Sequence, residues 1–133
     1  MDTSLTKIAT ACLDGAENNT MTFPQIVATL MQAGFESYAI DFRRATATYY
    51  LPDGNSVELP THRGEVPIAS ALDIAAVQAA IREAQQLVPG YNYAGFCAKV
   101  MAGGCASYIV SFTGCRAVYF GRTAEIHIEH FPQ

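Results

Sequence analysis

The chain repeats itself. When residues 22–50 are laid over residues 92–120, a shift of 70 residues, eight positions are identical, far more than composition alone predicts. The identical pairs are Ala28/Ala98, Met31/Met101, Gly34/Gly104, Ser37/Ser107, Tyr38/Tyr108, Phe42/Phe112, Ala47/Ala117 and Tyr49/Tyr119. We interpret this pattern as an internal duplication. The alternative is that two unrelated helix-then-strand units share the same pattern.

Each repeat begins with a predicted amphipathic helix. Apolar residues recur at helical intervals at Phe23, Ile26, Val27, Leu30 and Met31, and again at Tyr93, Phe96, Cys97, Val100 and Met101. Thr22 with Gln25 forms a capping-box pattern before the first helix, and Asn92 can cap the second. Gly34 and Gly104 stand where a helix ends in a left-handed residue, so their identity has a backbone reason.

Three strands are predicted to follow each helix. Apolar residues alternate at Tyr38, Ile40 and Phe42 and at Tyr108, Val110 and Phe112. Short turns at 43–45 and 113–115 lead into strands at Thr46–Leu51 and Arg116–Phe120, with third strands at Ser56–Leu59 and Ala124–Ile128. Further helices are predicted ahead of the units, at 3–14 and 71–88. The order is therefore α-α-β-β-β twice.

This order predicts an α+β fold with a mainly antiparallel sheet and helices packed on one face, because hairpins link the neighbouring strands. A chain of 133 residues fits one domain, residues 1–133, better than two. Within it we expect pseudo-repeats at about 3–59 and 71–130, with residues 60–70 as the connector.

Charge and composition exclude several classes of protein. A formal net charge of −4 and scattered Lys and Arg residues leave few cations for phosphates, so we expect neither nucleic acid nor membrane as a partner. The start of the chain carries Asp2 where a secretory signal is basic, and no long apolar run follows it, which predicts a soluble, cytoplasmic protein. The four cysteines have no C-x-x-C spacing and are expected to be reduced thiols.

Three segments carry a resemblance to a known family. They are Phe23-Pro24-Gln25-Ile26-Val27 leading to Gly34, Thr48-Tyr49-Tyr50-Leu51-Pro52-Asp53-Gly54, and Tyr119-Phe120-Gly121-Arg122-Thr123 through His130-Phe131-Pro132. The chain resembles the YbcV-like or YdfO-like family of small bacterial and prophage proteins of unknown function, sometimes labelled "phage envelope protein". The resemblance covers nearly the whole chain and implies this fold and length. It implies no activity and no site residue.

The terminal strand is the best candidate for chemistry. Alternation places Glu125, His127 and Glu129 on one face and the isoleucines on the other. Two carboxylates beside an imidazole could hold a divalent metal or tune the histidine as a general base. His62 is a further metal ligand that could come from elsewhere in the chain. The alternative is an edge or outer-face strand whose polar side faces water and whose charged residues discourage edge-to-edge pairing.

Other residues have weaker functional interpretations. Arg43, Arg44, Arg116 and Arg122 lie at or near predicted strand ends and could converge on a small anion, although solvated turn residues would look the same. The tyrosines are predicted to pack in the core. No glycine-rich phosphate loop follows a strand, and we expect no cofactor.

Three functions remain open at this point. The first is a non-enzymatic accessory or regulatory module that binds a protein partner or a small molecule, with a homodimer as one form of it. The second is a small metal-assisted or general-base enzyme centred on the terminal strand, and the third is a prophage-derived structural component. The direction of the Glu125 and His127 side chains, into a pocket or into solvent, would separate the first two.

Overall fold

The computed structural model describes residues 2–131, so Pro132 of the terminal segment lies outside it. Its elements are α1 Thr3–Glu17, α2 Phe23–Ala33, β1 Ser37–Asp41, β2 Thr46–Tyr50, β3 Ser56–Pro60, α3 Ile74–Gln86, α4 Tyr93–Ala102, β4 Cys105–Ser111, β5 Arg116–Gly121 and β6 Ile126–His130. The predicted α+β fold and the order α-α-β-β-β, present twice, are confirmed.

The six strands form one antiparallel sheet in the order β3-β2-β1-β4-β5-β6. The two halves of the chain meet at its centre, where Ala39 on β1 pairs with Ile109 on β4. These two residues are 70 positions apart, so each stands opposite its own counterpart. An approximate twofold axis therefore passes between β1 and β4.

The register and the backbone repeat with the same shift of 70 residues. Thr46 pairs with Pro60 in the first half, and Arg116 pairs with His130 in the second. Unusual positive φ angles recur at equivalent turn positions, 55° at Ala45 and 51° at Cys115. A shared pattern of helices and strands does not require such agreement, which favours the duplication over the alternative.

Capping side chains explain where the helices begin. Thr22 and Gln25 make the predicted capping box of α2, and Asn92 accepts a hydrogen bond from the Gly95 N–H at the start of α4. The helix predicted at 71–88 is shorter than expected, because Asp73 caps it and α3 starts at Ile74. The helix predicted at 3–14 is longer and continues to Glu17.

The last strand is also displaced from its prediction at 124–128. Ala124 has a φ of 66° and donates a hydrogen bond to the Gly121 carbonyl, which makes it part of the turn between β5 and β6. The strand therefore begins at Ile126 and ends at His130.

The two faces of the sheet differ. The face toward the helices carries the buried residues Tyr38, Ile40, Ala47, Tyr49, Tyr108, Val110, Ala117 and Tyr119. The opposite, outer face is largely polar in the first half, where Thr46 and Thr48 lie, and apolar in the second half, where Val118 and Ile128 pair across β5 and β6.

None of the helices within residues 2–131 combines the length and the apolar character that a membrane span requires.

Candidate functional site

A cavity of about 90 Å³ lies between the helices and the sheet, across the approximate twofold axis. We call it the tyrosine cavity, because Tyr38, Tyr49, Tyr91, Tyr93, Tyr108 and Tyr119 contribute to its wall. The two halves supply equivalent pairs, such as Tyr38 with Tyr108 and Tyr49 with Tyr119. The stacking between these rings repeats as well, since the ring centroids of Tyr38 and Tyr49 are 5.7 Å apart and those of Tyr108 and Tyr119 are 5.2 Å apart.

The tyrosine hydroxyls make this apolar space locally polar. The hydroxyls of Tyr93 and Tyr108 are 3.0 Å apart and hydrogen-bonded to each other. Within residues 2–131, the hydroxyls of Tyr38, Tyr49 and Tyr119 have no hydrogen-bond partner in the protein, and no side-chain oxygen or nitrogen is completely buried without one. These three hydroxyls are therefore open to a water molecule or a ligand.

Burial keeps these phenols neutral. It raises the pKa of Tyr38 and Tyr108 well above the ordinary tyrosine value, and raises the pKa of Tyr91 to about 12. The described wall contains no Lys, Arg, His, Asp or Glu side chain. The exposed residues Asn19 and Gln85 mark its opening to solvent. The cavity therefore offers aromatic surface and neutral hydrogen-bonding groups.

The thiols beside the cavity are poor nucleophiles. Cys12 lines it, and Cys97 lies on α4 one helical turn after Tyr93. Burial raises the pKa of the Cys97 thiol to about 12, and it also raises the pKa of Cys12. Since the thiolate is the reactive form, neither cysteine is prepared for nucleophilic catalysis. All four cysteines are free thiols, as predicted.

The structure brings two of the three terminal-strand candidates together. His127 Nε2 and Glu129 Oε2 are 2.9 Å apart, and their side chains are only 11% and 23% exposed. Both lie on the helix-covered side of β6, where the His127 ring is 6.4 Å from that of Tyr119. The alternative is right that β6 is an edge strand, but wrong that its polar side faces water, because the side that faces water carries Ile126 and Ile128, which are 51% and 39% exposed.

Glu125 has different partners. It lies in the turn before β6, where its carboxylate accepts hydrogen bonds from the Thr123 hydroxyl and the Leu72 N–H. These two bonds lower the pKa of Glu125. Across residues 2–131, no group of three or more His, Cys, Asp or Glu side chains is arranged to hold a metal ion. The structure therefore does not assemble the predicted Glu125, His127 and Glu129 metal set.

His62 lies too far away to complete such a site. It follows β3, at the opposite edge of the sheet from β6, so roughly 24 Å of sheet separate it from His127. Its backbone N–H donates to Glu17 at 2.8 Å, and its ring is exposed.

The candidate arginines do not converge either. Arg43 lies in the turn after β1, where Arg44 pairs with Glu58 at 3.4 Å. Arg116 begins β5 at the opposite end of the central strands, because β1 and β4 run antiparallel. Arg122 lies in the turn before β6, and its side chain donates a hydrogen bond to the Ile68 carbonyl. Arg43 and Arg44 therefore share one turn, Arg116 and Arg122 lie at two others, and the four side chains form no common anion site.

Comparison with protein-family models matches residues 12–130 to a family described as proteins of unknown function, DUF1398. The chain belongs to this family. The DUF1398 match begins inside α1 and ends with β6, so it covers every residue of the sheet and all of both repeats except the first part of α1. The predicted resemblance is confirmed in so far as the chain belongs to a family of unknown function. Comparison with curated proteins gave no match.

Proposed function

We propose that this DUF1398 protein is a non-enzymatic binding module that holds one small, uncharged, largely apolar molecule in the tyrosine cavity. The observation that supports this most is the set of three phenol hydroxyls, those of Tyr38, Tyr49 and Tyr119, that have no partner among residues 2–131 and lie on a largely apolar wall. Ligand pockets typically combine apolar and aromatic walls with a few polar groups that orient the ligand.

The chemistry of the wall narrows the class of ligand. A charged group would lose its hydration without gaining a partner of opposite charge, which is costly. A neutral hydroxyl or carbonyl group, in contrast, can bond to the hydroxyl of Tyr38, Tyr49 or Tyr119. The volume of about 90 Å³ is smaller than the roughly 150 Å³ of an apolar cavity that binds benzene, so the ligand can be no larger than a single ring, part of which would lie in the opening beside Asn19 and Gln85. Phenol-like molecules fit this description.

An NMR titration with p-cresol tests the proposal. Saturable shifts of backbone amide signals should be confined to the residues that line the cavity. Benzoate, which is similar in size but charged, should produce none at the same concentration. Equal responses to the two compounds would argue against selection by the neutral wall.

Two alanines on α3 provide matched variants for this titration. Ala84 lines the cavity and Ala79 is exposed on the same helix. Ala84→Leu should fill part of the space and abolish the p-cresol shifts, whereas Ala79→Leu should leave them intact. Unchanged binding in Ala84→Leu would place the ligand elsewhere.

The His127–Glu129 pair supports a second candidate function. A carboxylate 2.9 Å from a largely buried imidazole is the arrangement that orients a histidine as a general base. As an enzyme, the protein would use His127 Nδ1, the ring nitrogen that Glu129 does not contact, to take a proton from water, while the water oxygen bonds to the carbonyl carbon of an activated ester and the ester C–O bond breaks to release the alcohol or phenol. Hydrolysis of p-nitrophenyl acetate should then be lost in His127→Gln and retained in His62→Gln, which changes an exposed histidine. Equal rates in both variants would remove this candidate.

The prophage-derived structural role that the resemblance implies stays a prediction.

A further inference from the structure

The outer edge of β6 is a row of backbone groups available for pairing. Phe131 donates to the Cys115 carbonyl and Gly121 donates to the Glu125 carbonyl, so the odd-numbered residues of this segment bond to β5. In an antiparallel ladder the alternate residues point the other way. The N–H and C=O groups of Ile126, Ile128 and His130 therefore face outward, and no strand within residues 2–131 covers them.

The opposite edge of the sheet, β3, is protected at the equivalent positions. Its outward-facing residues are Ser56, Glu58 and Pro60, which stand 70 positions before Ile126, Ile128 and His130. Proline has no N–H to donate, and a charged side chain disfavours the burial that pairing brings. Neither a proline nor a glutamate or lysine stands at the outward-facing positions of β6, which carry two exposed isoleucines instead. One edge of the molecule is thus closed to strand addition and the other is open.

The side chains that stand opposite each other across two β6 strands select the occupant of the open edge and its register. If two copies of β6 pair antiparallel with Ile128 opposite Ile128, then His127 of each copy lies opposite Glu129 of the other. A pairing centred on His127 instead would place His127 against His127 and Glu129 against Glu125. The first register places each Glu129 carboxylate opposite an imidazole, whereas the second places it opposite the Glu125 carboxylate, and a second copy of this chain supplies the first.

We propose that the protein forms a homodimer through antiparallel pairing of β6 with β6 of a second copy, centred on Ile128. The pairing makes about six backbone hydrogen bonds and joins two six-stranded sheets into one. It has the same geometry as the β1–β4 pairing at the centre of the chain, which is also antiparallel and centred on equivalent residues. Because β3 is protected, assembly stops at two copies.

Light scattering on the full chain gives the first test. The wild type should have about twice the chain mass of 14.3 kDa. His130→Pro and Ile128→Glu each copy the residue that β3 carries at the equivalent position, and each should give the monomer mass. His130→Pro should fold normally, because the N–H it removes points away from β5. Near-ultraviolet circular dichroism verifies the fold of both variants.

Ile109→Thr distinguishes edge pairing from packing between outer faces. Ile109 lies on the outer face at the centre of the sheet, far from the β6 edge. This variant should remain a dimer. A monomeric wild type, a dimer that persists in both folded β6 variants, or a monomeric Ile109→Thr would overturn the proposal, and so would masses that grow beyond two copies.

Oxidative cross-linking tests the register. In the proposed pairing, Ile128→Cys places the two introduced thiols directly opposite each other, within the range that a disulfide spans. Ile126→Cys offsets the two introduced thiols by four residues along the strand, roughly 13 Å. Covalent dimer should form in the first variant, above the background of the native thiols in the wild type, and not in the second. Equal cross-linking of the two variants would refute this register.

Discussion

Glu125 connects two segments that are distant in the sequence. Its carboxylate accepts one hydrogen bond from Thr123 within the β5–β6 turn and one from the Leu72 N–H, just before α3. Asn55 holds the equivalent position in the first half and bonds to Asp53 instead. A single side chain therefore fixes the end of the connector to the second half of the sheet. Its spacing from His127 predicted a shared face but could not show this partner.

The Glu125 bonds predict a pH-dependent difference in stability. Because they lower the pKa of Glu125 in the folded state, their contribution is complete above its ordinary value and is lost as pH falls through the lowered value. Glu125→Gln has no charge to titrate, so its melting temperature should lie below that of the wild type at neutral pH and approach it in acid. Glu65→Gln, at an exposed glutamate, serves as control. A gap that stays constant with pH would contradict this assignment.

Two equivalent phenylalanines should differ in their contribution to stability. Phe112 is 7% exposed and packs against Tyr38, whereas Phe42 is only partly buried against Tyr108. Phe112→Ala should lower the free energy of unfolding by roughly 3–5 kcal/mol, and Phe42→Ala by clearly less. Urea denaturation of both variants measures the difference. Equal losses would show that the remaining exposure of Phe42 has no energetic effect.

At the level of elements, the alternation of apolar and polar residues was enough to predict which face the helices cover in five strands. It was not enough for β6. The period of two predicts which residues share a face, but not which face the helices cover. In the other strands the apolar face is the covered one, as Val57 and Leu59 on β3 show. On β6 the equivalent positions carry His127 and Glu129, and the isoleucines lie outside. Only the pairing with Tyr119 across β5 establishes the orientation.

The left-handed glycines that follow the second helix of each repeat should respond differently to substitution. Both have positive φ angles, 100° at Gly34 and 95° at Gly104. Gly34→Ala meets open space and should cost about 1–2 kcal/mol for the left-handed backbone alone. Gly104→Ala would force its Cβ against the Ala71 carbonyl oxygen and should cost about 3 kcal/mol or more.

Thermal and urea unfolding of the two glycine variants measure these costs. Gly34→Ala is the control for the backbone effect, because the two substitutions share it. A loss at Gly104 no larger than at Gly34 would mean that the segment before α3 moves aside easily.

At the scale of the whole molecule, the helix layer and the sheet were predictable and the tyrosine cavity was not. The repeated Tyr38 and Tyr108 place aromatic residues in the core by their periodicity. Whether the rings fill the space between helices and sheet depends on how closely the layers approach each other, which no local pattern records. The cavity exists only when both halves are assembled.

The shared sheet predicts that the halves depend on each other. Fragments 1–66 and 67–133 each expose one edge of the central β1–β4 pairing and one part of the cavity wall. Expressed alone, each should lack a cooperative unfolding transition, whereas co-expressed fragments should copurify as a one-to-one complex with native-like circular dichroism. Two fragments that fold independently as monomers would contradict this dependence.

The hydrogen bond between Tyr93 and Tyr108 has no counterpart across the twofold axis, because Phe23 occupies the position equivalent to Tyr93. Two identical copies joined at such an axis would present any guest molecule with two symmetry-related ways of sitting, equal in energy. A single chain is free of that constraint, and here the second half contributes two more tyrosine hydroxyls to the cavity wall than the first, those of Tyr91 and Tyr93. An asymmetric guest in this space would therefore adopt one preferred orientation.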